Sequence, residues 1–165
     1  MHELNPAAPD DAQALLQEGQ QRLAAGDRAG AGAALLRARA HAATRLAAHN
    51  LIEQNGLDGA FATMFGLDCR IAPQDDIFHF FAGHPTSNNP LRDYLADGWR
   101  TLSELLLLLE RADRPLVKMD HVLEFASGHG RFTRHLAKAI GAERVAVSDV
   151  VADAVAFSRA TFGVQ

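Results

Sequence analysis

Cysteine is nearly absent from this chain of 165 residues, and so are long apolar runs. The single cysteine, Cys69, cannot form an internal disulfide and has no CxxC partner for a metal. The longest run of leucines, 105–109, is far shorter than the roughly 20 apolar residues of a membrane span. The N-terminal segment also lacks the basic and then apolar pattern of a signal peptide. These absences predict a cytoplasmic protein with an inert, buried thiol and no membrane partner.

A surplus of positive charge is also missing, because 16 basic residues face 20 acidic ones, for a net charge of −4. Proteins that bind nucleic acid through its phosphates concentrate basic residues on one surface. Arginines do cluster between residues 20 and 50, but no aromatic residue interleaves with them as a base-stacking surface needs. We therefore interpret them as a solvated helix face and predict no nucleic-acid partner. These arginines are Arg22, Arg28, Arg37, Arg39 and Arg45.

Strong helix formers are abundant in the first third of the chain. Residues 10–52 are rich in Ala, Leu, Gln and Arg, which predicts two helices. Asp10 or Asp11 can cap the first helix, and Ala-Gly-Asp at 25–27 separates it from the second. Apolar or small residues at helical spacing are Leu15, Leu16, Gly19, Leu23 and Ala24 on the first helix, and Ala33, Leu36, Ala40, Ala43 and Ala47 on the second.

This pair of helices resembles one unit of a tetratricopeptide-type repeat. The resemblance rests on composition and on the Gly-Asp turn, and it covers residues 10–52. It implies a helical hairpin over residues 1–54 and a surface for a protein partner within 10–52. A single unit cannot bury its own apolar face, so we expect the hairpin to dock on the rest of the chain.

Residues 55–115 are predicted to form a linker followed by a long helix. Aromatic residues and turn formers alternate up to residue 90, and the segment 84–90 has the composition of a loop. Asn89 is a good N-cap with Pro90 at the first helical position, so a helix should run from Pro90 to Arg111. Its apolar stripe is Leu91, Tyr94, Leu95, Trp99, Leu102, Leu105, Leu106 and Leu109.

Residues 116–165 predict two strands that alternate with two helices. The strands are expected at 121–125 and 144–148, and the helices at 132–140 and 151–162. Gly141 and Gly163 are suited to end the two helices. A β-α-β-α order with parallel strands is typical of α/β proteins with a doubly wound sheet.

The turn after the first predicted strand carries the residues with the clearest chemistry. Glu124 ends the strand, and Ala126, Ser127, Gly128 and Gly130 lead into the helix. Glycine allows positive φ angles and leaves the backbone open to a ligand, while amides at a helix start can donate hydrogen bonds. The carboxylate of Asp149, at the end of the second strand, can accept hydrogen bonds from two ribose hydroxyls. The pattern predicts half of a nucleotide-type cofactor site.

The third glycine of the dinucleotide fingerprint is replaced by Thr133, which argues against NAD or FAD. The segment instead resembles motif I of class I S-adenosylmethionine-dependent methyltransferases. Glu124 matches the motif's acid, Gly128 and Gly130 match its later glycines, and Ala126 stands where the first glycine is usual. The run 145–149 resembles that family's second strand with its ribose-binding acid, and the resemblance spans residues 119–163.

The resemblance implies a Rossmann-like domain, S-adenosylmethionine as cofactor and a small-molecule or biosynthetic methyl acceptor. Such a domain has about seven strands, so we expect the chain to be a fragment, or another chain to complete its sheet. Activity from the chain alone is therefore not expected. The family often places an upstream aromatic residue over the cofactor, and Tyr94, Gly98 and Trp99 are candidates for that segment. Packing in the apolar stripe is the other interpretation of Tyr94 and Trp99. The catalytic residues are not identified.

Two other functions stay open. The chain can be a non-catalytic helical interaction module with a vestigial nucleotide-binding half-domain, or half of an oxidoreductase, which Thr133 disfavours. His129 and His135 lack a third ligand at metal spacing, so no metal site is predicted. His79 and His84 lie near a Pro-Thr-Ser loop, and either belong to a substrate pocket or are merely packed or solvated.

Overall fold

A computed structural model describes residues 9–165, with side chains from residue 11 onward. The chain is mostly helical with a small two-stranded parallel sheet, which is consistent with an α/β class. It divides into two compact units after Gly66, so the predicted segment 55–115 contributes residues to both. No helix among the described residues is long and apolar enough to cross a membrane. Most of the N-terminal segment that lacks a signal pattern lies outside the described residues.

The described part of the first unit, from residue 9 onward, contains four helices. These are α1 (Pro9–Ala24), α2 (Arg28–Ala40), α3 (Arg45–Gln54) and the short α4 (Phe61–Phe65). Helix α1 thus begins before Asp10 and Asp11, which the sequence suggested as caps. The predicted turn at 25–27 is confirmed, because the Asp27 carboxylate caps α2 by accepting a hydrogen bond from the Gly30 amide. The core of this unit consists of Leu15, Leu16, Ala31, Leu35, Ala38, Ala48, Ile52, Leu57 and Ala60.

The prediction for the second helix was wrong in two respects. The chain leaves the helix after Ala40, where the buried Thr44 hydroxyl donates to the Ala38 carbonyl at 2.6 Å and a separate α3 follows. The predicted stripe, including Ala33 and Leu36, is exposed, whereas the buried side contains Leu35 and its neighbours. Alanine occupies so many positions of α2 that the pattern of apolar residues does not distinguish its two sides.

The second unit begins with helices α5 (Asp76–Gly83) and α6 (Pro90–Arg111). The bounds predicted for α6 are confirmed, and so is its cap, since the Asn89 side chain accepts a hydrogen bond from the Arg92 amide at 3.2 Å. The predicted stripe is buried at Leu91, Tyr94, Leu95 and Leu102. Leu105, Leu106 and Leu109 are half-buried, and Trp99 is the exposed member of the stripe, with 57% of its surface accessible.

The strands and helices of 116–165 follow the predicted order. They are β1 (Val122–Phe125), α7 (Thr133–Ile140), β2 (Val145–Ser148) and α8 (Ala152–Phe162). The strands are parallel, with Glu124 opposite Val147 in the register. Helix α7 is the crossover between them. The core below it is formed by Leu102, Leu116, Leu136, Ile140, Val145, Val147 and Val164.

The two edges of this sheet differ. At the β2 edge, the Gln165 amide donates to the Val145 carbonyl at 2.9 Å, and the Val147 amide donates to the Gln165 carbonyl at 2.8 Å. This is the pattern of a parallel pairing. At β1, which pairs only with β2 in the described chain, Leu123 and Phe125 are 62% and 81% exposed. One face of β1 therefore carries exposed apolar side chains.

Candidate functional site

The glycine turn, residues 126–132, connects β1 to α7 with an unusual backbone. Three of its residues have positive φ angles, namely Ala126 (57°), Gly128 (54°) and Gly130 (81°). A Cβ added to Gly128 would meet no atom within 4 Å, so this side of the turn is open. A Cβ added to Gly130 would fall on the Phe162 ring and lie 2.9 Å from Ser158 Oγ. The first glycine therefore leaves space, and the second allows α8 to approach the turn.

Asp149 lies directly beside the open part of the turn. Its Oδ2 accepts a hydrogen bond from the Gly128 amide at 2.8 Å, and its Oδ1 accepts one from the Val151 amide at 2.9 Å. The hydrogen bonds from the Val151 and Gly128 amides lower the pKa of Asp149 below its ordinary value, so the group stays ionised. The two predicted halves of the site, the glycine turn and Asp149, are thus brought into direct contact.

Glu124 accepts a hydrogen bond from Thr133, which the sequence pattern marked only as a replacement for the third glycine. The Thr133 hydroxyl donates to Glu124 Oε2 at 2.6 Å, whereas Oε1 accepts no hydrogen bond from the described residues. Burial raises the pKa of Glu124 to about 7, against the lowering effects of Thr133 and Arg131. A hydroxyl at the third-glycine position, nine residues after an acid, was the signal available in the sequence.

Helix α6 contacts the turn through its middle rather than through an aromatic residue. Gly98 is buried, and a Cβ there would fall on the Arg131 carbonyl oxygen and lie 2.8 Å from His135 Cδ2. The preceding residue of the same helix, Asp97, forms an ion pair with the Arg131 guanidinium. The close approach that Gly98 permits therefore fixes the end of the glycine turn against α6.

The predicted aromatic candidates occupy different environments. Tyr94 is fully buried, donates a hydrogen bond to Asp75 Oδ2 and contacts the Arg134 guanidinium with its ring. Trp99 is largely exposed and lies beside His135, with the ring centroids 6.2 Å apart. Tyr94 therefore reaches the glycine turn only through another side chain.

Several side chains around the turn are buried without a hydrogen-bond partner among the described residues. These atoms are Ser127 Oγ in the turn, Ser158 Oγ on α8 and His135 Nε2 on α7. Burial, followed by the nearby Arg134 charge, lowers the pKa of His135 to about 4, so its ring is neutral.

Outside the turn, Val150 directly follows Asp149 and is fully exposed. Val150 thus adds an apolar surface beside a carboxylate, a feature that the sequence interpretation missed.

The remaining histidines do not assemble a metal site. His129 Nε2 lies 3.4 Å from Asp153 Oδ2, and no group of three potential ligands occurs in the described part of the chain. His84 lines a shallow cavity of about 310 Å³ between α5 and the start of α6, together with Phe80 and Phe81. His79 bonds the Pro73 carbonyl instead. The two histidines flagged near the Pro-Thr-Ser loop are therefore not part of the glycine turn.

Ala126 offers a direct test of the turn's backbone. Because an L-residue in the left-handed region is strained by about 1–2 kcal/mol, we expect Ala126→Gly to stabilise the protein. Greater freedom of glycine in the unfolded chain offsets about 0.4–1 kcal/mol of this gain. Denaturant unfolding should show a net increase of about 0.5–1 kcal/mol. The control is Ala156→Gly, an exposed position inside α8, which should lower stability by about as much. A destabilised Ala126→Gly protein would contradict the strained backbone.

Comparisons of the chain with protein-family models, curated proteins and solved structures find no match. The function must therefore be inferred from the chemistry of the residues at the turn.

Proposed function

We propose that the glycine turn binds S-adenosylmethionine and that the chain contains the cofactor-binding start of a class I methyltransferase-type, Rossmann-like domain. The residues proposed to hold the cofactor are Glu124, Ala126, Ser127, Gly128, Gly130 and Asp149. The methyl acceptor is proposed to be a small molecule, because the chain lacks the excess of basic residues that would favour a nucleic acid.

One observation carries the choice of cofactor. The Gly128 amide, which a phosphate-binding turn would offer to its anion, already donates to the Asp149 carboxylate at 2.8 Å. A pyrophosphate at this place would compete with Asp149 for that amide. It would also be repelled by the Asp149 carboxylate, which stays ionised because its pKa is lowered. A neutral ribose diol is favoured instead, because its hydroxyls can donate to the carboxylate. A nucleoside without phosphates is the type of ligand that S-adenosylmethionine offers.

The surroundings fit the other parts of that molecule. The open side of Gly128 allows a ligand to approach the backbone. The exposed Val150 gives an apolar surface for an aromatic base next to the ribose-binding carboxylate. Glu124 Oε1 is an acceptor without a hydrogen-bond partner among the described residues, while Thr133 fixes the other oxygen. This acceptor suits the ammonium group of the cofactor.

Bound S-adenosylmethionine supplies an electrophilic methyl group with a neutral thioether as the leaving group. The protein's contribution to such a transfer is mainly alignment of donor and acceptor. Asp149 and the turn amides would orient the nucleoside, and Glu124 would orient the amino acid part.

The finer fold is part of this proposal. Parallel strands normally lie in sheets that helices cover on both faces. Leu123 and Phe125 lie on the same face of β1 and are exposed, which suits a further layer packed on that face. Among the described residues β1 pairs only with β2, so its other edge is open to a further strand, whereas Gln165 already pairs along the far edge of β2. We propose that another part of the protein or a second chain supplies the strand beside β1. Methyl transfer would then require that completed sheet.

Calorimetric titration of the full chain with S-adenosylhomocysteine tests the proposed cofactor. We expect measurable heat with the parent chain and at least an approximately tenfold higher Kd for Asp149→Ala, because hydrogen bonds to a charged group contribute about 1.5–3 kcal/mol. ADP, which shares the adenosine but adds a pyrophosphate, should bind more weakly than S-adenosylhomocysteine, because the pyrophosphate would be repelled by the Asp149 carboxylate and would compete for the Gly128 amide.

The matched control for Asp149 is Asp153→Ala. Asp153 is an exposed acid on α8 that contacts His129. It accepts no hydrogen bond from the Gly128 or Val151 amides, which bond to Asp149. Its variant should bind S-adenosylhomocysteine as the parent does. A folded parent that gives no heat, or an Asp149→Ala variant that binds equally well, would refute the cofactor assignment. The non-catalytic interaction module would then be the better hypothesis.

A further inference from the structure

Arg134, on the first turn of α7, is the largest fully buried side chain among the described residues. Its guanidinium contacts no carboxylate among those residues. It donates instead to backbone carbonyls, through Nη1 to Asp68 at 3.1 Å and to Arg70 at 2.8 Å. The guanidinium lies over the rings of Tyr94 and Phe162, 5.4 Å and 4.8 Å from their centroids. Burying this charge is unfavourable unless hydrogen bonds satisfy its donors, so these contacts are needed to keep Arg134 inside the unit.

The same side chain holds the last glycine of the turn. The Gly130 carbonyl accepts a hydrogen bond from Arg134 Nε at 3.0 Å and a second one from the Arg134 backbone amide at 3.3 Å. One residue therefore clamps the carbonyl that closes the glycine turn. A lysine could not replace it, because only the planar guanidinium donates in several fixed directions at once.

Tyr94 links this clamp to Asp75 through two hydrogen bonds. Arg134 Nη2 donates to the Tyr94 hydroxyl at 3.4 Å, and that hydroxyl donates to Asp75 Oδ2. Asp75 is itself fixed, since its Oδ1 caps α5 by accepting from the Ile77 and Phe78 amides at 3.0 Å. Burial raises the pKa of Tyr94, so the hydroxyl keeps its proton and remains a donor. The chain of contacts is complete from the α5 cap to the turn.

From this geometry we infer that Asp75, Tyr94 and Arg134 form a relay that positions the glycine turn, so that segment 68–75 sets the turn's conformation. Tyr94 is in this view a positioning residue that acts through Arg134 and does not touch a ligand. The consequence for cofactor affinity rests on the proposed function, whereas the effect on the turn itself does not.

Nuclear magnetic resonance of the full chain tests the relay without any ligand. Tyr94→Phe keeps the ring over Arg134 and removes only the hydroxyl, and it should shift the backbone amide signals of Gly128 and Gly130. Arg134→Lys should move the same signals in the same direction and further, because it removes the guanidinium hydrogen bonds to the carbonyls of Gly130 and of segment 68–70. Amide signals of the turn that stay in place in both variants would overturn the inference.

Ser87→Ala is the matched control, because it too removes one hydroxyl that donates to an aspartate, Asp93, at 2.6 Å in the same unit. It should leave the glycine signals unchanged, and an equal shift in this control would also overturn the inference.

The affinity measurement uses S-adenosylhomocysteine. Its Kd should rise about fivefold or more in Tyr94→Phe, the lower range of coupling between linked sites, and stay unchanged in Ser87→Ala. An equal Kd in Tyr94→Phe and parent would refute the coupling to affinity. If the parent binds no ligand but Tyr94→Phe still shifts the turn, the relay stands and the proposed function fails.

Discussion

Gly130→Ala is expected to destabilise the second unit by about 3 kcal/mol. The φ angle of 81° places an added methyl group in the left-handed region, which disfavours L-residues by about 1–2 kcal/mol. The same methyl group would fall on the Phe162 ring and crowd Ser158 Oγ. Inserting an atom into a closely packed contact adds about 1–3 kcal/mol, because α8 or the turn must move.

Fluorescence can follow this unit alone, because the only tryptophan, Trp99, belongs to it. Denaturant unfolding monitored at Trp99 should show the expected loss, and the melting temperature of this unit should fall by about 12–24 °C. A Gly130→Ala protein as stable as the parent would mean that α8 does not approach the turn as described.

Gly128→Ala is the matched comparison, because both variants add one methyl group at a positive φ two residues apart. The φ angle at Gly128 is 54°, and an added Cβ meets no atom within 4 Å. Only the backbone strain remains, so we expect a loss of about 1 kcal/mol. The methyl group would instead occupy the side proposed for the ligand. The expected result is a folded Gly128→Ala protein with weakened binding of S-adenosylhomocysteine.

Elements with a clear sequence pattern could be predicted closely. The bounds of α6, the cap at Asn89 and the alternation of β1, α7, β2 and α8 follow from local signals, namely a capping side chain, β-branched runs and glycines at helix ends. The sequence also placed Gly128 and Asp149 in one predicted site, although it did not predict the hydrogen bond between them. Parallel strands place their carboxyl ends at the same edge of a sheet, so residues that follow β1 and β2 lie together.

Other features depend on contacts that are distant in sequence. The apolar stripe of α6 favoured burial of Trp99, but the turn approaches the helix so closely at Gly98 that the buried position is the glycine. Likewise, Thr133 was interpreted by what it lacks, although its hydroxyl has a partner nine residues earlier. Motif comparison records which residue type is missing, whereas the hydrogen bond that a replacement forms becomes visible only in three dimensions.

Glu124→Gln is expected to stabilise the protein at pH 8 by up to about 3 kcal/mol, which corresponds to a pKa raised from 4.5 to about 7. Burial favours the neutral carboxyl in the folded state. The stability that Glu124 contributes is therefore fully present below pH 4.5 and is lost as the pH rises toward 7. Glutamine resembles the protonated acid and can still accept the Thr133 hydrogen bond. The variant and the parent should thus be equally stable near pH 4 and diverge above it.

His135 has the opposite linkage to Glu124. Its pKa falls from 6.5 to about 4 on folding, so the stability from its neutral ring is present above pH 6.5 and is lost as the pH falls toward 4. Between pH 4.5 and 6.5 the two groups oppose each other, so their contributions to the parent's stability should nearly cancel. Glu124→Gln removes one of them, so its stability should rise with pH across that window. Glu110→Gln, an exposed control on α6, should change stability by less than about 0.5 kcal/mol at every pH. Parallel profiles of Glu124→Gln and parent would show that the Glu124 carboxyl is not buried at the turn.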